Sequence, residues 1–229
     1  MVVKTEFEEH DNLIFRNFRS IYQSVFMIQK ILIVHQETSL PVFEKNIVDS
    51  FSYESSIITS ILQAISTIGQ EILGCPTTFK KLQYHGFVVT SSYFNGYTIY
   101  VFSETELVKE LEKGMSRLIK WFSNIFGSIN EIWDGCMDVF TINRNIIESK
   151  IVQFLFLWLL YPFQINRNQK IKNEDLTELG RILINCIRKK EKCTLALILN
   201  EYNQYDEETI LYEIFNFVNN RYITVSNDD

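Results

Sequence analysis

Asn95-Gly96 separates two runs of strand-forming residues, FVVTSSYF (87–94) and YTIYVF (97–102). A two-residue type I′ connection needs positive φ at both central positions, and Asn-Gly supplies it more readily than almost any other pair. The two runs are therefore expected to fold back on each other as an antiparallel hairpin. Gly86 marks an earlier turn, with the run FKKLQY (79–84) in front of it. Any fold for this chain has to accommodate a three-strand antiparallel meander.

What lies on either side of the meander narrows the choice further. In MIQKILIVHQETSLPVFEK, Met27 to His35 is largely β-branched and apolar, QETS turns, and Leu40 to Glu44 resumes a strand. Pro41 has no N–H to give to a ladder, so the second of these strands is expected at a sheet edge. Between hairpin and meander, residues 52–72 have helical periodicity. Ile57, Ile58, Ile61, Leu62, Ile65, Ile68 and Ile72 mark one face, and Thr59, Gln63, Thr67 and Gln70 lie away from it. Gly74 and Pro76 then terminate the helix.

After the meander, Val108, Leu111, Met115, Leu118, Phe122, Ile125, Ile129 and Ile132 recur at alternating steps of three and four. Ser103 can cap this helix, with Glu106 completing a capping box. The spacing is compatible with a coiled coil, but five strands precede it and need a cover, so it is expected to pack on the sheet. Its end falls at Trp133, Asp134 and Gly135. These read as a helix stop with Trp133 in the core, or alternatively as a partner-binding aromatic.

The last third of the chain changes character. Helical patterns occupy about 143–161, 173–190, 194–202 and 206–220, and a short strand is expected at 221–225. The boundary is expected near 141–150, which divides the chain into an amphipathic N-terminal helix (1–26), an α+β domain (27–140) and a mainly helical domain (141–229). In the first of these, Glu8, Glu9 and Asp11 offset Arg16 and Arg19, which argues against a membrane-surface role. The most apolar run, IVQFLFLWLLYPF (151–163), contains Gln153 and Pro162. It is shorter than the ~20 residues a spanning helix needs, so a buried helix is expected.

Charge is distributed unevenly along the chain. Residues 1–149 carry a net −5, residues 150–192 a net +5 and residues 193–229 a net −6. The last helical pattern, YDEETILYEIFNFVNN (205–220), is acidic through Asp206, Glu207, Glu208 and Glu213, with no Lys or Arg before Arg221. The basic run at 188–193 reads as a solvated helix end whose Arg188, Lys189 and Lys190 favour the C-terminal dipole, or as a contact for anionic lipid or an acidic partner.

Chemistry-bearing motifs are absent from the sequence. It contains no phosphate-binding GxxxxGK[ST] or GxGxxG loop, no GxSxG elbow and no HExxH. His10, His35 and His85 are far apart and read as surface or turn residues. Cys75, Cys136, Cys186 and Cys193 match no zinc or redox spacing, although Cys186 and Cys193 could meet across a turn. The polar, acidic N-terminus predicts no secretory signal, so the expectation is reduced thiols and an intracellular protein, peripheral at a membrane only through partners. No catalytic residue, metal ligand or cofactor is assigned.

Taken together, KILIVHQETSLPVFEKNI, the helix SSIITSILQAISTIGQEI, the meander and the long closing helix resemble a longin/roadblock-like domain of the archaeal longin type, with a five-stranded antiparallel sheet in ββ-α-βββ-α order. The resemblance covers about residues 27–140. It implies a scaffold that pairs through a sheet edge or the first helix and serves Ras-like small GTPases, vesicle coats or tethering complexes. The pairing surface would then involve Leu40, Val42 and Glu44 on the edge strand and Thr59, Gln63, Thr67 and Gln70 on the helix. The segment EKCTLALILNEYNQYDEETILYEIFNFVNNRYITV resembles a winged-helix core, with residues 195–200 and 206–220 as its second and third helices. A DNA-reading third helix presents Arg, Lys, Asn or Gln in its first turn. Asp206, Glu207 and Glu208 stand there instead, where they complement the helix dipole. Asn203 and Tyr205 are the only contacts nearby, and the expectation is a protein-binding helix. The alternative is a transcription-associated winged-helix protein with an N-terminal sensory domain.

Overall fold

The computed structural model describes residues 20–48, 54–74, 79–127, 137–172, 174, 176–190 and 192–225. Trp133, Asp134, Gly135, Cys75, Cys136, Pro76 and His10 lie outside the described residues, as does the part of the expected N-terminal helix before residue 20. Two compact units are present. One runs from Ser24 to Phe156, and the other takes in the described residues from Leu157 onward together with 20–23.

The first unit is α+β, as expected. A five-stranded antiparallel sheet has the order β2-β1-β5-β4-β3. Its strands are β1 (Ile28–His35), β2 (Leu40–Asn46), β3 (Lys81–Tyr84), β4 (Phe87–Phe94) and β5 (Tyr97–Ser103). Asn95 and Gly96 have φ of 43° and 84°, so the connection between β4 and β5 takes the positive-φ conformation that this dipeptide favours. Pro41 pairs with Val34 on β2, which is an edge strand. Helix α1 (Ser55–Leu73) lies between β2 and β3 in the chain and ends at Gly74, whose φ of 66° places it in the left-handed region and whose N–H donates to Gln70 O.

Helix α2 (Lys109–Phe126) starts five residues later than the capping box implies. Ser103 is the last residue of β5, is buried, and pairs with Ile28 on one side and Val88 on the other. Its hydroxyl donates to Thr105 O at 2.6 Å, and Glu106 pairs with Lys81 at 2.8 Å. The ladder claims Ser103, and the helix begins without a side-chain cap.

Strand alternation places α1 and α2 on opposite faces of the sheet. On one face, Leu62 of α1 packs with Leu32, Val34, Val89, Tyr100 and Phe102. On the other, Tyr97 meets Phe122 of α2 edge-on at 5.0 Å, and its hydroxyl donates to Phe126 O at 3.2 Å. Among the described residues this unit also holds α3 (Asp138–Ile142) and α4 (Arg144–Phe154). Phe140 of α3 stacks on Phe122. At Gly114, a Cβ would sit 2.2 Å from Phe154 O, so α2 and the end of α4 touch backbone to backbone. That contact explains why the unit extends to 156, beyond the boundary expected near 141–150.

The apolar run 151–163 is not one helix. It divides among the end of α4, a 3-10 turn (Leu157–Leu160) and β6 (Phe163–Ile165), with Phe156 at a φ of 56° as the break. Ile151, Leu155, Leu157, Leu159 and Phe163 are buried. Among the described residues, no helix is long and apolar enough to cross a membrane.

In the second unit β6 pairs antiparallel with β7 (Ile223–Val225), and Phe163 also bridges to Cys193. Three helices lie between the strands, α5 (Glu178–Lys189), α6 (Leu195–Glu201) and α7 (Glu207–Asn219). Each begins at a side-chain cap. Thr177, Thr194 and Asp206 accept from the N–H groups of Gly180, Leu197 and Thr209 respectively.

Candidate functional site

The outward face of α1 breaks the usual rule for an amphipathic helix. Thr59, Leu62 and Ser66 point inward and are buried. The two hydroxyls donate to their own helix, Thr59 Oγ1 to Ser55 O at 2.7 Å and Ser66 Oγ to Leu62 O at 3.0 Å. Ser66 is also hydrogen-bonded to the hydroxyl of Tyr100, whose pKa burial raises and whose bonds to Gln36, Ser66 and Thr98 pull back down. The polar side of the helix therefore has a polar group of the sheet to meet.

The residues left outside are isoleucines. Ile57 and Ile61 are 58% and 56% exposed, and Ile68 and Ile72 are 56% and 77% exposed. Ala64, also exposed, lies between them, so the steps are four, three, four and four, which draws a single ridge along the helix. A contiguous exposed apolar ridge marks an interaction surface more often than scattered apolar residues do. The stripe read from periodicity is split: Leu62 is buried and Ile58 packs against the sheet core, whereas Ile57, Ile61, Ile68 and Ile72 face solvent.

The eight residues singled out from the sequence are distributed as follows. Leu40 and Thr67 are exposed, and Gln63 and Gln70 are half-buried. Val42 and Thr59 are buried and have no surface to offer a partner, which corrects the expectation for both. Glu44 is exposed but engaged. Its carboxylate accepts from Ser55 Oγ and pairs with Lys30 Nζ at 3.5 Å, while Lys30 Nζ donates to Ser55 Oγ at 2.7 Å. The Lys30 ammonium is buried, and a buried charge needs such compensation. Arg144 donates to Glu44 O at 3.0 Å and lies over the Phe43 ring. These contacts fasten β2 beside the start of α1, around an open cleft of about 570 Å³. Tyr205, in the second unit, is partly exposed where the chain enters α7, and its N–H donates to Tyr202 O.

Two placements in the chain were not anticipated, and a third realises a contact that the sequence had left open. His35 is buried rather than on the surface, with Nδ1 3.0 Å from Thr38 Oγ1 and its ring against Tyr97. Glu213, one of the acids of α7, is buried, and Thr177 Oγ1 donates to it at 2.7 Å, so a carboxylate lies at the N-terminal cap of α5. Cys186 and Cys193 do meet, sulfur to sulfur at 3.8 Å, both free and buried. Burial, then the neighbouring Cys186, pushes the Cys193 thiol up to about 12, which suppresses thiolate chemistry at neutral pH. Among the described residues, no group of three or more His, Cys, Asp or Glu is placed to hold a metal ion.

No protein-family model matches the chain, and no curated protein matches its sequence. Among solved structures the chain is similar to Myxococcus xanthus MglB, at 10% identity and a TM-score of 0.34, over 56% of this chain and 96% of that one.

Proposed function

We propose that this chain is a non-catalytic scaffold or adaptor that works by docking the outward face of α1 onto another protein. One observation carries the reading: Ile57, Ile61, Ile68 and Ile72 face solvent while the hydroxyls of Thr59 and Ser66 on the same helix face the sheet. Burying a half-exposed isoleucine against a partner contributes on the order of 1 kcal/mol, so the ridge adds to association and polar contacts around it must supply the rest. The longin/roadblock-like strand and helix order supports a Ras-like small GTPase, another longin or roadblock domain, or a trafficking or tethering complex as the partner. On this reading the chain acts in the cytoplasm and reaches membranes only through that partner.

The α5–α6–α7 array followed by β7 supports a winged-helix-like reading of the second unit. The transcription-associated alternative fares worse, because Asp206 caps α7 and Glu207 and Glu208 follow it, where phosphate would have to approach.

The test is capture of purified Ras-like GTPases loaded with GDP, with a GTP analogue or left empty, by wild type and by an Ile61→Asp/Ile68→Asp variant. Nucleotide-selective capture that the variant loses is the expected result. Equal capture by both proteins removes α1 as the docking face, and no capture in any state removes the GTPase. Duplex DNA binding that weakens steeply with salt would favour the alternative.

A further inference from the structure

On the α2 face of the sheet, an open cleft of about 680 Å³ lies between α2 and the β3–β4 border. Lys109, Lys113 and Arg117 line it from α2, and their spacing of four residues aligns them on one side of the helix. Lys80 lines it from just before β3, and Glu112 is the lone acid. The cleft therefore carries an excess of three positive charges in a chain whose net charge is −6. Neighbouring cations are engaged, Lys81 with Glu106 and Lys120 with the Phe94 ring. The four cations in the cleft have neither an ion pair nor a hydrogen bond among the described residues.

The floor of the cleft adds hydroxyls. Ser92 on β4 and Ser116 on α2 approach to 3.3 Å. Beside them Thr90 is buried, and its Oγ1 has no hydrogen-bond partner among the described residues. Valine would fill that space without leaving a polar atom orphaned, so the packing of the sheet does not account for a hydroxyl here.

We propose that this cleft binds an organic phosphate. A phosphoryl group brings close to two negative charges and three strong acceptor oxygens, matching several convergent cations and hydroxyls better than a carboxylate does. Arg117 can bond two of those oxygens at once, and Lys109 and Lys113 add point charges. The volume is in the range of small-molecule sites and far exceeds a bare phosphate, which leaves room for an organic part. That part can belong to a soluble metabolite or to a lipid headgroup. The inference does not depend on the α1 docking face.

The experiment is calorimetric titration of the full chain with glycerol 3-phosphate, AMP and inorganic phosphate, alongside sedimentation with phosphatidylcholine vesicles with and without phosphatidic acid. At least one organic phosphate is expected to bind more tightly than inorganic phosphate, with affinity falling as salt rises. Lys113→Glu and Arg117→Glu each weaken binding by about tenfold or more, and Thr90→Val weakens it without loss of fold. Co-sedimentation only with phosphatidic acid assigns the phosphate to lipid, and binding only of the soluble probes assigns it to a metabolite. The proposal is overturned if no phosphate probe binds, if the charge-reversed variants bind as wild type, or if a glutamate-rich peptide binds the cleft in preference to every phosphate probe.

Discussion

Helices α1 and α2 cover opposite faces of one sheet and dispose of their apolar residues in opposite ways. α2 buries Leu111, Met115, Leu118, Ile119, Phe122 and Phe126 against the sheet and leaves its cations in water. α1 buries Thr59, Leu62 and Ser66 and leaves four isoleucines in water. The two helices have similar lengths and similarly regular stripes, so propensity does not separate them. What separates them is the surface each one meets. The α2 face presents Tyr97 within an aromatic cluster, whereas the α1 face presents the hydroxyl of Tyr100 and needs polar atoms opposite it. α2 therefore stabilises the unit, and α1 leaves its apolar surface in solvent.

Truncation should break the symmetry between the two helices most visibly. Phe122→Ala removes a fully buried ring that touches Tyr97, Phe126 and Phe140, and should cost about 3–5 kcal/mol in urea unfolding. Ile68→Ala removes comparable apolar bulk from α1 and should change the stability of the isolated chain by no more than about 0.5 kcal/mol. Equal losses would mean that the isoleucine ridge is covered within the folded chain. Gly114→Ala comes next, because its Cβ would meet the Phe154 carbonyl with no flexible side chain to give way. A loss of about 1–3 kcal/mol is expected, confined to the unit that holds α2.

The pattern of these effects also marks how far the sequence could be read. The Asn95-Gly96 turn, the five strands and the edge position of Pro41 were all legible, because each depends on local backbone chemistry. The orientation of α1 was not, since a stripe with a 3.6-residue period looks the same whether it faces a core or a partner. Ser103 was misleading because a Ser-x-x-Glu capping box can equally close a buried strand. The break at Phe156 carries neither Gly nor Pro, so nothing local announces it. The pairing of Glu213 with Thr177 and the approach of Cys186 to Cys193 arise only from tertiary packing. Of the sequence-singled candidates on α1 and β2, Leu40 and Thr67 are exposed while Val42 and Thr59 are buried, a difference that periodicity alone does not show.

Alkaline titration extends the comparison to the two buried tyrosines. Burial pushes the Tyr97 phenol up to about 12 and raises that of Tyr100, from an ordinary value of 10.0. An acid whose folded pKa is raised contributes stability that is fully present below its unfolded pKa and lost as pH rises through the folded one. The first unit should therefore weaken between about pH 10 and 12. Tyr97→Phe should lose about 1 kcal/mol at neutral pH through the bond to Phe126 O, and should flatten the alkaline decline. An unchanged alkaline profile in Tyr97→Phe would place the titrating group elsewhere.

The smallest effect bears most directly on why α1 faces the way it does. If its inward hydroxyls are there to meet Tyr100, Ser66→Ala and Tyr100→Phe should each cost roughly 0.5–1 kcal/mol, and the double variant should cost clearly less than the two together. Either change removes the one bond that the two hydroxyls share, so the double variant loses that bond once and not twice. Gln36 and Thr98 also bond Tyr100, so Ser66→Ala should be the milder of the two. Strict additivity in this cycle would show that Ser66 is satisfied by Leu62 O alone, and the polar inner face of α1 would then need a different cause. Coupling would tie the outward isoleucines to a specific demand of the sheet, since a helix that must turn its hydroxyls inward has its other side left for a partner.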